Sequence, residues 1–327
     1  MTDTQAVRSV LVGIGAYLPA NLVTNARLEA MVDTTDAWIR ERTGITQRAV
    51  AAPLETTSSL GAEAASRALA DAGMAPDEVE LIVCATATPD KTFPATAALI
   101  QAKLGIPVCI AFDVQAVCTG FVYAMAVADS MIKAGQARTA LVIGAETFSR
   151  ILDWSDRTTC VLFGDGAGAA VLRAVPEAEA GGRGVLAHAL RADGRQAGIL
   201  HVKGGPSSGG GTGKLEMQGQ AVFKQAVTNI SEAIEAACAR AGIAVAEVDW
   251  FVPHQANRRI LDGVARRLAI PEDKVVVTVD RHGNTSAASV PLAFAAARAD
   301  GRIKPGDLVL LEAMGGGLTW GATLVRL

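Results

Sequence analysis

The 327-residue chain has no stretch of 18 apolar residues, no basic N-terminal region leading into a long apolar run, and no excess of Lys and Arg (30 against 33 Asp and Glu, net charge −3). The first two absences argue against membrane insertion and export, so a soluble cytoplasmic protein is the expectation. The third removes nucleic acid as a bulk partner, because no general surplus of positive charge exists to displace counterions. Any anionic ligand must meet a local basic patch. Cysteine is sparse: Cys84, Cys109, Cys118, Cys160 and Cys238 are odd in number, scattered and without a C-x-x-C pair. They do not make a disulfide framework, and with four distant histidines they do not make a zinc site. No metal and no cofactor is expected.

What the chain does have is apolar mass. Half its residues are hydrophobic and 19% are charged, so it reads as globular, and its length suggests two fused halves. An internal repeat supports that division. "ALADAGMAPDEVELIV" (68–83) and "ACARAGIAVAEVDWFV" (237–252) match at Ala70/Ala239, Ala72/Ala241, Gly73/Gly242, Ala75/Ala244, Glu78/Glu247 and Val79/Val248, a constant offset of 169. Further on, "LGIP" (104–107) answers "LAIP" (268–271). Each half reads as helix, AG turn, buried strand, helix, strand, long apolar helix and strand, with "TALVIGAE" in one half and "DLVLLEAMG" in the other. The halves are taken as 1–174 and 175–327. Continuous Val/Ile/Leu strands alternating with helices predict an α/β fold with parallel-rich sheets covered on both faces.

The repeat gives Cys118 a place. Cys118 to Glu146 spans 28 residues, as does Asn284 to Glu312, which makes Cys118 and Asn284 pseudo-equivalent, each opening its half's long buried helix. The same matching puts His254, in "WFVPHQAN", at the end of the strand that answers "LIVCATAT". Packed about a two-fold axis, the halves bring Cys118, His254 and Asn284 together. A thiol at a helix N-terminus meets unpaired N–H groups and the positive end of the helix dipole, which favour the thiolate and make Cys118 the nucleophile. His254 is placed to polarise or deprotonate it, and with Asn284 to donate hydrogen bonds to a developing oxyanion. The glycine run in "EAMGGGLTWG" (312–321) lets a backbone N–H approach a substrate carbonyl closely.

Taken together, "TDAWIRERTGI", "VCTGFVYA", "FGDGAGAAVL", "PHQAN", "GNTSAAS" and "GGGLTWG" resemble the thiolase superfamily, and most closely the β-ketoacyl-acyl-carrier-protein synthase III family, from "VGIGAYLP" to "TWGATLVRL". The resemblance implies a thiolase-like five-layered αβαβα fold and an acyltransferase of type II fatty-acid synthesis. It carries the family's catalytic Cys, His and Asn onto Cys118, His254 and Asn284. Elongating synthases of the superfamily have a second His at the third position, thiolases a second Cys, and hydroxymethylglutaryl-CoA synthases use a Glu. Plant-type polyketide synthases share the Cys, His, Asn set but carry a GFGPG signature, which is absent here. The implied reaction begins with attack of Cys118 on an acyl-CoA, acetyl-CoA by default, with the oxyanion held by the N–H groups of Cys118 and Gly316. His254 and Asn284 then hydrogen-bond the thioester carbonyl of malonyl-acyl-carrier protein while it loses CO2, and the enolate attacks the acyl-Cys118.

Trp38 and Arg42 are i and i+4, so on a helix they share a face and can hold an adenine ring between indole and guanidinium. The resemblance adds Thr34, Arg157, Phe223 and Asn257 to the CoA site. Arg258, Arg259, Arg266 and Arg267 stand on one helix after His254, a basic patch for an acidic carrier protein, and the resemblance adds Lys224. Phe93, Phe148, Phe163, Leu215 and Met314 are candidate linings of an acyl pocket. By resemblance, the residue at Phe93's position reaches into the neighbouring subunit of a homodimer, and Met314 stands where the family commonly carries Phe.

Blander readings cover the rest. Cys84, Cys109 and Cys238 are small hydrophobes in apolar patterns, and Cys160, in a strand-like run, is core. His282 supports the site from behind at best, and Asn284 doubles as a helix cap. "GDGAGAA" lacks the ribose-binding acid of a dinucleotide loop. "GGPSSGGGTGKLEM" fails as a phosphate loop because Ser208 replaces its first Gly and Leu215 follows Lys214, which leaves a flexible surface loop. Two other functions fit the same residues: an acyltransferase or specialised-metabolite synthase working through the same acyl-Cys118, and a non-catalytic carrier-protein or CoA-binding module.

Overall fold

The computed structural model describes residues 6–327; residues 1–5, the start of the N-terminal half, lie outside it. Nine strands carry two sheets. The first contains β1 (Val7–Tyr17), β2 (Leu81–Ala85), β3 (Ile110–Val114), β4 (Thr139–Glu146) and β5 (Gly166–Pro176), in the order β1-β5-β4-β2-β3. The second contains β6 (Gly184–Ala192), β7 (Trp250–Pro253), β8 (Leu308–Gly315) and β9 (Thr319–Arg326), in the order β7-β8-β9-β6. The expectation of parallel-rich sheets is corrected here. β2 runs parallel to β3 and β4, and β7 to β8, but β1·β5, β4·β5, β8·β9 and β6·β9 are antiparallel. β9 turns straight back from β8 through Gly316–Leu318, a return too short for a helical crossover.

Six helices complete the layers. α1 (Thr57–Ala72) and α2 (Thr96–Leu104) cover the outside of the first sheet, and α4 (Gly219–Ala241) and α5 (Arg258–Arg267) the outside of the second. Between the sheets lie α3 (Gly120–Lys133) and α6 (Ser289–Ala299), with Phe121, Met125, Val290 and Phe294 packed against Leu81, Val83, Val309 and Leu311. The order is α, β, α, β, α. β2 shows why its sequence is apolar throughout: Leu81 and Val83 face the central helices, while Ile82 and Cys84 face α1 and α2. The AG turns end α1 and α4 with Gly73 and Gly242 in the left-handed region, at φ 63° and 67°.

The repeat keeps one register almost throughout. Leu81 and Trp250, Val117 and Ser286, Gly120 and Ser289, and Thr139 and Leu308, each the first residue of its element, are all 169 apart. This corrects the pairing of Cys118 with Asn284. The counterpart of Cys118 is Ala287, and Asn284 lies three residues upstream, in the loop before the turn. The two turns still meet at the centre. A Cβ on Gly120 would lie 3.3 Å from the Ala287 Cβ, and one on Gly144 would lie 2.2 Å from the Ala287 carbonyl oxygen, so only glycine admits this approach.

Candidate active site

A cavity of about 510 Å³ opens at this meeting point, and Cys118, His254 and Asn284 all line it. Cys118 follows β3 in a single turn, Val117–Thr119, that runs into α3 at Gly120. Two threonines tie this turn to the glycine-rich segment after β8. Thr319 Oγ1 donates to the Ala116 carbonyl at 3.0 Å, and Thr119 Oγ1 donates to the Thr319 carbonyl at 2.9 Å. Gly315 lies so close that a Cβ there would stand 2.6 Å from the Cys118 nitrogen; at Gly316 it would stand 3.6 Å from Val117 Cγ2. "VCTG" and "GGGLTWG" are one structural unit.

His254 follows β7, and its N–H donates to the Glu312 carbonyl at 2.9 Å. The loop is held by Gln255, a fully enclosed amide. Its Nε2 donates to the Pro253 and Val276 carbonyls (2.9 and 3.0 Å), and its Oε1 accepts from the Thr278 and Val279 N–H groups (2.8 and 2.9 Å). Asn257 closes the motif by capping α5, accepting from the Ile260 N–H at 3.1 Å. Asn284 is pinned by its backbone between Leu162 and Gly164 (both 2.9 Å), and its Oδ1 accepts from the Ser286 N–H at 3.0 Å. It therefore caps the local turn and not α6. With Oδ1 engaged, the Nδ2 donor is the polar atom left for the cavity.

Burial dominates the electrostatics. It pushes the Cys118 thiol up to about 12, against hydrogen bonds from Ser286 and from its own N–H, and it pushes His254 down to about 3. The expectation of a resting thiolate is thereby corrected. A fully buried sulfur loses more by leaving water than the helix end returns. Burial disfavours the thiolate and the imidazolium alike. Cys118 rests as a thiol and His254 as a neutral imidazole. His282, also buried and depressed to about 4, does not line the cavity.

At the mouth stand Trp38, Arg42, Phe223, Asn257 and Arg259. Trp38 and Arg42 do share a face of the helix Asp36–Thr43, but the Arg42 guanidinium lies 4.7 Å over the indole, so no slot is open between them. Arg157 lies 5.0 Å over the same ring and donates to the Asp33 carbonyl. Thr34 is off the cavity wall with its hydroxyl unpartnered. Deeper in, Phe163 and Met314 line the cavity with Leu200, Met217, Val222 and Ile230, while Phe148 stacks on Phe163 at 4.6 Å and Leu215 packs beside them. Phe93 lines nothing in its own chain and is 82% exposed.

Lys224 and the four arginines of α5 are all exposed, but the patch is less free than its sequence suggests. Arg258 is paired with Asp262 at 2.6 Å, Arg259 donates to the Glu41 carbonyl, and Arg267 to Thr228. The rival features resolve as packing. Cys160 is fully buried, although in a turn and not a strand. In "FGDGAGAA", Asp165 accepts from the Ser149 and Ala51 N–H groups, and a Cβ on Gly168 would lie 2.6 Å from Pro291. The loop 203–214 is exposed, with Met217 just beyond it on the cavity wall.

Comparison with known proteins identifies the family. The profile of 3-oxoacyl-[acyl-carrier-protein (ACP)] synthase III matches residues 112–194 and that of its C-terminal part residues 238–327. The chain is 64% identical over 322 residues to a β-ketoacyl-[acyl-carrier-protein] synthase III of Rhodospirillum rubrum, covering 98% of this chain and 99% of that one. The chain belongs to the 3-oxoacyl-[acyl-carrier-protein] synthase III family. Its relative from Rhizorhabdus wittichii is 61% identical over 319 residues, again across 98% and 99% of the two chains. The crystal structure of the Aquifex aeolicus synthase III superposes with a TM-score of 0.92 at 45% identity, covering 98% of this chain and all of that one. A priming β-ketosynthase of the R1128 polyketide pathway superposes equally well, at 35% identity over 100% and 98% of the two chains.

For this family member, the sequence reading missed Ser286, Glu146 and Glu312 as part of the site's surroundings. Glu146 and Glu312 are each at most 2% exposed, and burial raises them to about 7 and about 8. The signal was present: a Glu near the end of each otherwise apolar strand, "TALVIGAE" and "LVLLEAMG", is a buried charge that needs a reason.

Proposed function

We propose that the chain is an initiating condensing enzyme of fatty-acid synthesis, joining a short acyl-CoA to malonyl-acyl-carrier protein with loss of CO2. The observation that carries this reading is a single cavity with a nucleophilic Cys118, a neutral His254 and the Asn284 amide at its floor and an indole with arginines at its mouth. Cys118 attacks the acyl-CoA carbonyl, the N–H groups of Cys118 and Gly316 hold the oxyanion, and CoA leaves. Malonyl-carrier protein follows. Its thioester carbonyl accepts hydrogen bonds from His254 and from Asn284 Nδ2, so that loss of CO2 yields a stabilised enolate that attacks the acyl-Cys118. A histidine held neutral by burial suits this step, because it donates a hydrogen bond without bringing a proton that would quench the carbanion.

Trp38, Arg42, Arg157, Phe223, Asn257 and Thr34 are assigned to CoA, and Lys224, Arg258, Arg259, Arg266 and Arg267 to the carrier protein. The halves 1–174 and 175–327 supply the nucleophile and the His/Asn pair respectively. A homodimer is part of the proposal. The exposed Phe93 and the partly open edge strand β3, with Ile110 at its start, support it, since unpaired strand edges invite pairing. No helix among the described residues is long and apolar enough to cross a membrane. The likeness to the polyketide priming synthase favours one second reading, a starter unit delivered to specialised metabolism through the same acyl-Cys118.

Incubation with acetyl-CoA and with longer acyl-CoAs, followed by intact mass and peptide mapping, tests the reading. An acyl increment on Cys118 that malonyl-carrier protein discharges with release of CO2 is the expected result. An unlabelled Cys118 with every acyl-CoA would reject it.

A further inference from the structure

Arg48 is fully buried on the short strand Gln47–Ala49. Among the described residues its guanidinium meets no carboxylate, only neutral oxygens. Nη1 donates to the Val23 carbonyl at 3.1 Å and to Asn25 Oδ1 at 2.9 Å, and Nη2 donates to the Val161 carbonyl at 2.7 Å. Burial lowers Arg48 to about 10, so it stays charged at neutral pH. A buried cation without a counter-ion destabilises a fold, and an apolar side chain of similar size would fill the same space without that cost. What Arg48 holds explains why a cation stands there.

Its shortest bond joins residues 113 apart and lands on the segment that pins Asn284. Val161, Leu162 and Phe163 line the cavity beside Asn284. The Leu162 carbonyl accepts from the Asn284 N–H, and the Gly164 N–H donates to the Asn284 carbonyl, both at 2.9 Å. The arginine stem lies against a glycine on each side of this contact. A Cβ on Gly164 would stand 3.0 Å from the Arg48 Cβ, and one on Gly283, at φ 66°, would stand 3.2 Å from it. The same strand adds backbone bonds: the Ala49 carbonyl accepts from the Asp165 N–H at 2.8 Å, and the Thr46 N–H just before the strand donates to the Asp280 carbonyl at 2.7 Å. The Asn284 loop and the segment paired with it are thus seated together on one arginine and its strand. On the other side, Asn25 Nδ2 donates to Asp36 Oδ1 at 2.8 Å, and Asp36 opens the helix that carries Trp38 and Arg42. A polar chain of Asp36, Asn25, Arg48 and Val161 therefore joins the mouth of the cavity to its Asn284 side.

We propose that Arg48 is a positioning residue of the second half-reaction: by seating Val161, Gly164 and Gly283 it fixes Asn284, so that Nδ2 faces the thioester carbonyl of malonyl-carrier protein. The role rests on the condensing reading above. Cys118 is held by different contacts. Thr119 and Thr319 tie its turn to the segment after β8, with which Arg48 shares no hydrogen bond. Arg48 therefore serves loss of CO2 and not acylation, whereas an arginine that only supported the fold would serve both alike.

Two substitutions and two kinds of measurement test this. Arg48→Lys replaces a planar fork that spans three acceptors by one ammonium, and Arg48→Met leaves all three unpaired. Release of CO2 from malonyl-carrier protein should slow about three-fold in Arg48→Lys and about ten-fold in Arg48→Met, in kcat and not in KM. Acylation of Cys118 by acetyl-CoA, followed by intact mass, should stay within roughly two-fold of native in both, because its geometry is set elsewhere. Hydrogen exchange read by mass spectrometry needs no substrate: it should quicken at 161–165 and 283–285 and stay unchanged at 117–120. Should Arg48→Met fail to fold, Arg48→Lys decides alone. Native exchange at 283–285 in Arg48→Lys, CO2 release at native speed, or equal losses in the two half-reactions overturns the role. A native protein that releases no CO2 from malonyl-carrier protein rejects the condensing reading instead, and exchange at 283–285 then still decides whether Arg48 holds Asn284.

Discussion

Val117 and Ser286, 169 residues apart in the chain, hold the same strained backbone conformation, with φ of 48° and 49°. Each is the first residue of the turn that feeds one of the two central helices; Val117 leads directly into Cys118 on the cavity wall, while the Ser286 hydroxyl donates to the buried Glu146. A non-glycine residue in this region costs about 1–2 kcal/mol. Val117→Gly removes that strain but gives up the burial of a half-exposed valine, about 1 kcal/mol, and adds unfolded-state entropy of about the same size. The terms cancel. Stability should therefore change by less than about 1 kcal/mol in chemical denaturation, while acylation of Cys118 slows about ten-fold or more because the turn no longer fixes the direction of Sγ. A variant that keeps full acylation speed would show that the strained turn is incidental to the chemistry.

Four buried groups contribute to the pH dependence of folding with differing signs. His254 and His282 are held at about 3 and about 4, below the ordinary 6.5, so the unfolded chain takes up protons first and stability falls as pH drops below about 6.5. Glu146 and Glu312 are raised to about 7 and about 8 from 4.5, so the folded protein keeps protons that the unfolded chain releases, and stability is lost as pH rises from about 4.5 toward 8. Between about 4.5 and 6.5 the two pairs oppose each other. Above 6.5 only the carboxyls act. Denaturation midpoints should peak at or below pH 6.5 and decline toward pH 8, by up to about 1.4 kcal/mol per pH unit for each carboxyl still titrating. Glu312→Gln should flatten the upper part of this decline. An unaltered slope would mean that Glu312 is already ionised in the fold.

The layer order, the AG turns and the convergence of Cys118, His254 and Asn284 were legible in the sequence, because hydrophobic runs and a duplicated pattern are written residue by residue. The register at the centre was read three residues out. Equal spacings to Glu146 and Glu312 look like a match, but the constant offset of 169, already plain at Ala70 and Ala239, pairs Glu146 with Gly315 and Cys118 with Ala287. The antiparallel strands β5 and β9 were hidden for a different reason: buried strands read as apolar in either direction. Nor does any sequence pattern reveal how far a thiol is from water, which is why the helix end alone suggested a thiolate. The Glu146 to Ser286 bond joins residues 140 apart across the two halves and becomes visible only when the turns are brought face to face.

Trp38 carries both Arg42 and Arg157 over its ring, at 4.7 and 5.0 Å, so an incoming adenine must displace one guanidinium to reach the indole. Arg42, held only by a 3.7 Å contact with Glu41, is the one with room to swing, since Arg157 donates to the Asp33 carbonyl at 2.8 Å. Stacking on an indole contributes about 1–2 kcal/mol. Trp38→Ala should therefore weaken CoA binding about ten-fold by calorimetry and raise the KM for acyl-CoA correspondingly. The rate of alkylation of Cys118 by iodoacetamide should not change, because Trp38 stands at the mouth and Cys118 at the floor. Slower alkylation in this variant would mean that the mouth supports the floor.

Arg266 differs from its three neighbours on α5. Arg258 is neutralised by Asp262, Arg259 and Arg267 hydrogen-bond to neighbouring groups, and Arg266 is exposed with no ion-pair partner among the described residues. An acidic carrier protein gains most from the charge that is not already satisfied, and attraction between exposed groups is screened within about 10 Å at 0.1 M salt. Arg266→Glu should therefore raise the KM for malonyl-carrier protein about ten-fold at low ionic strength, an effect that fades toward 0.5 M salt, where the screening length falls to about 4 Å. Arg258→Ala, which also frees Asp262, should cost less than Arg266→Glu at the same salt. Acylation of Cys118 by acyl-CoA should be untouched in both, since neither side chain lines the cavity. Equal losses with acyl-CoA and with carrier protein would place the defect in folding, and a salt-independent loss would point to shape and not charge as what α5 offers its partner.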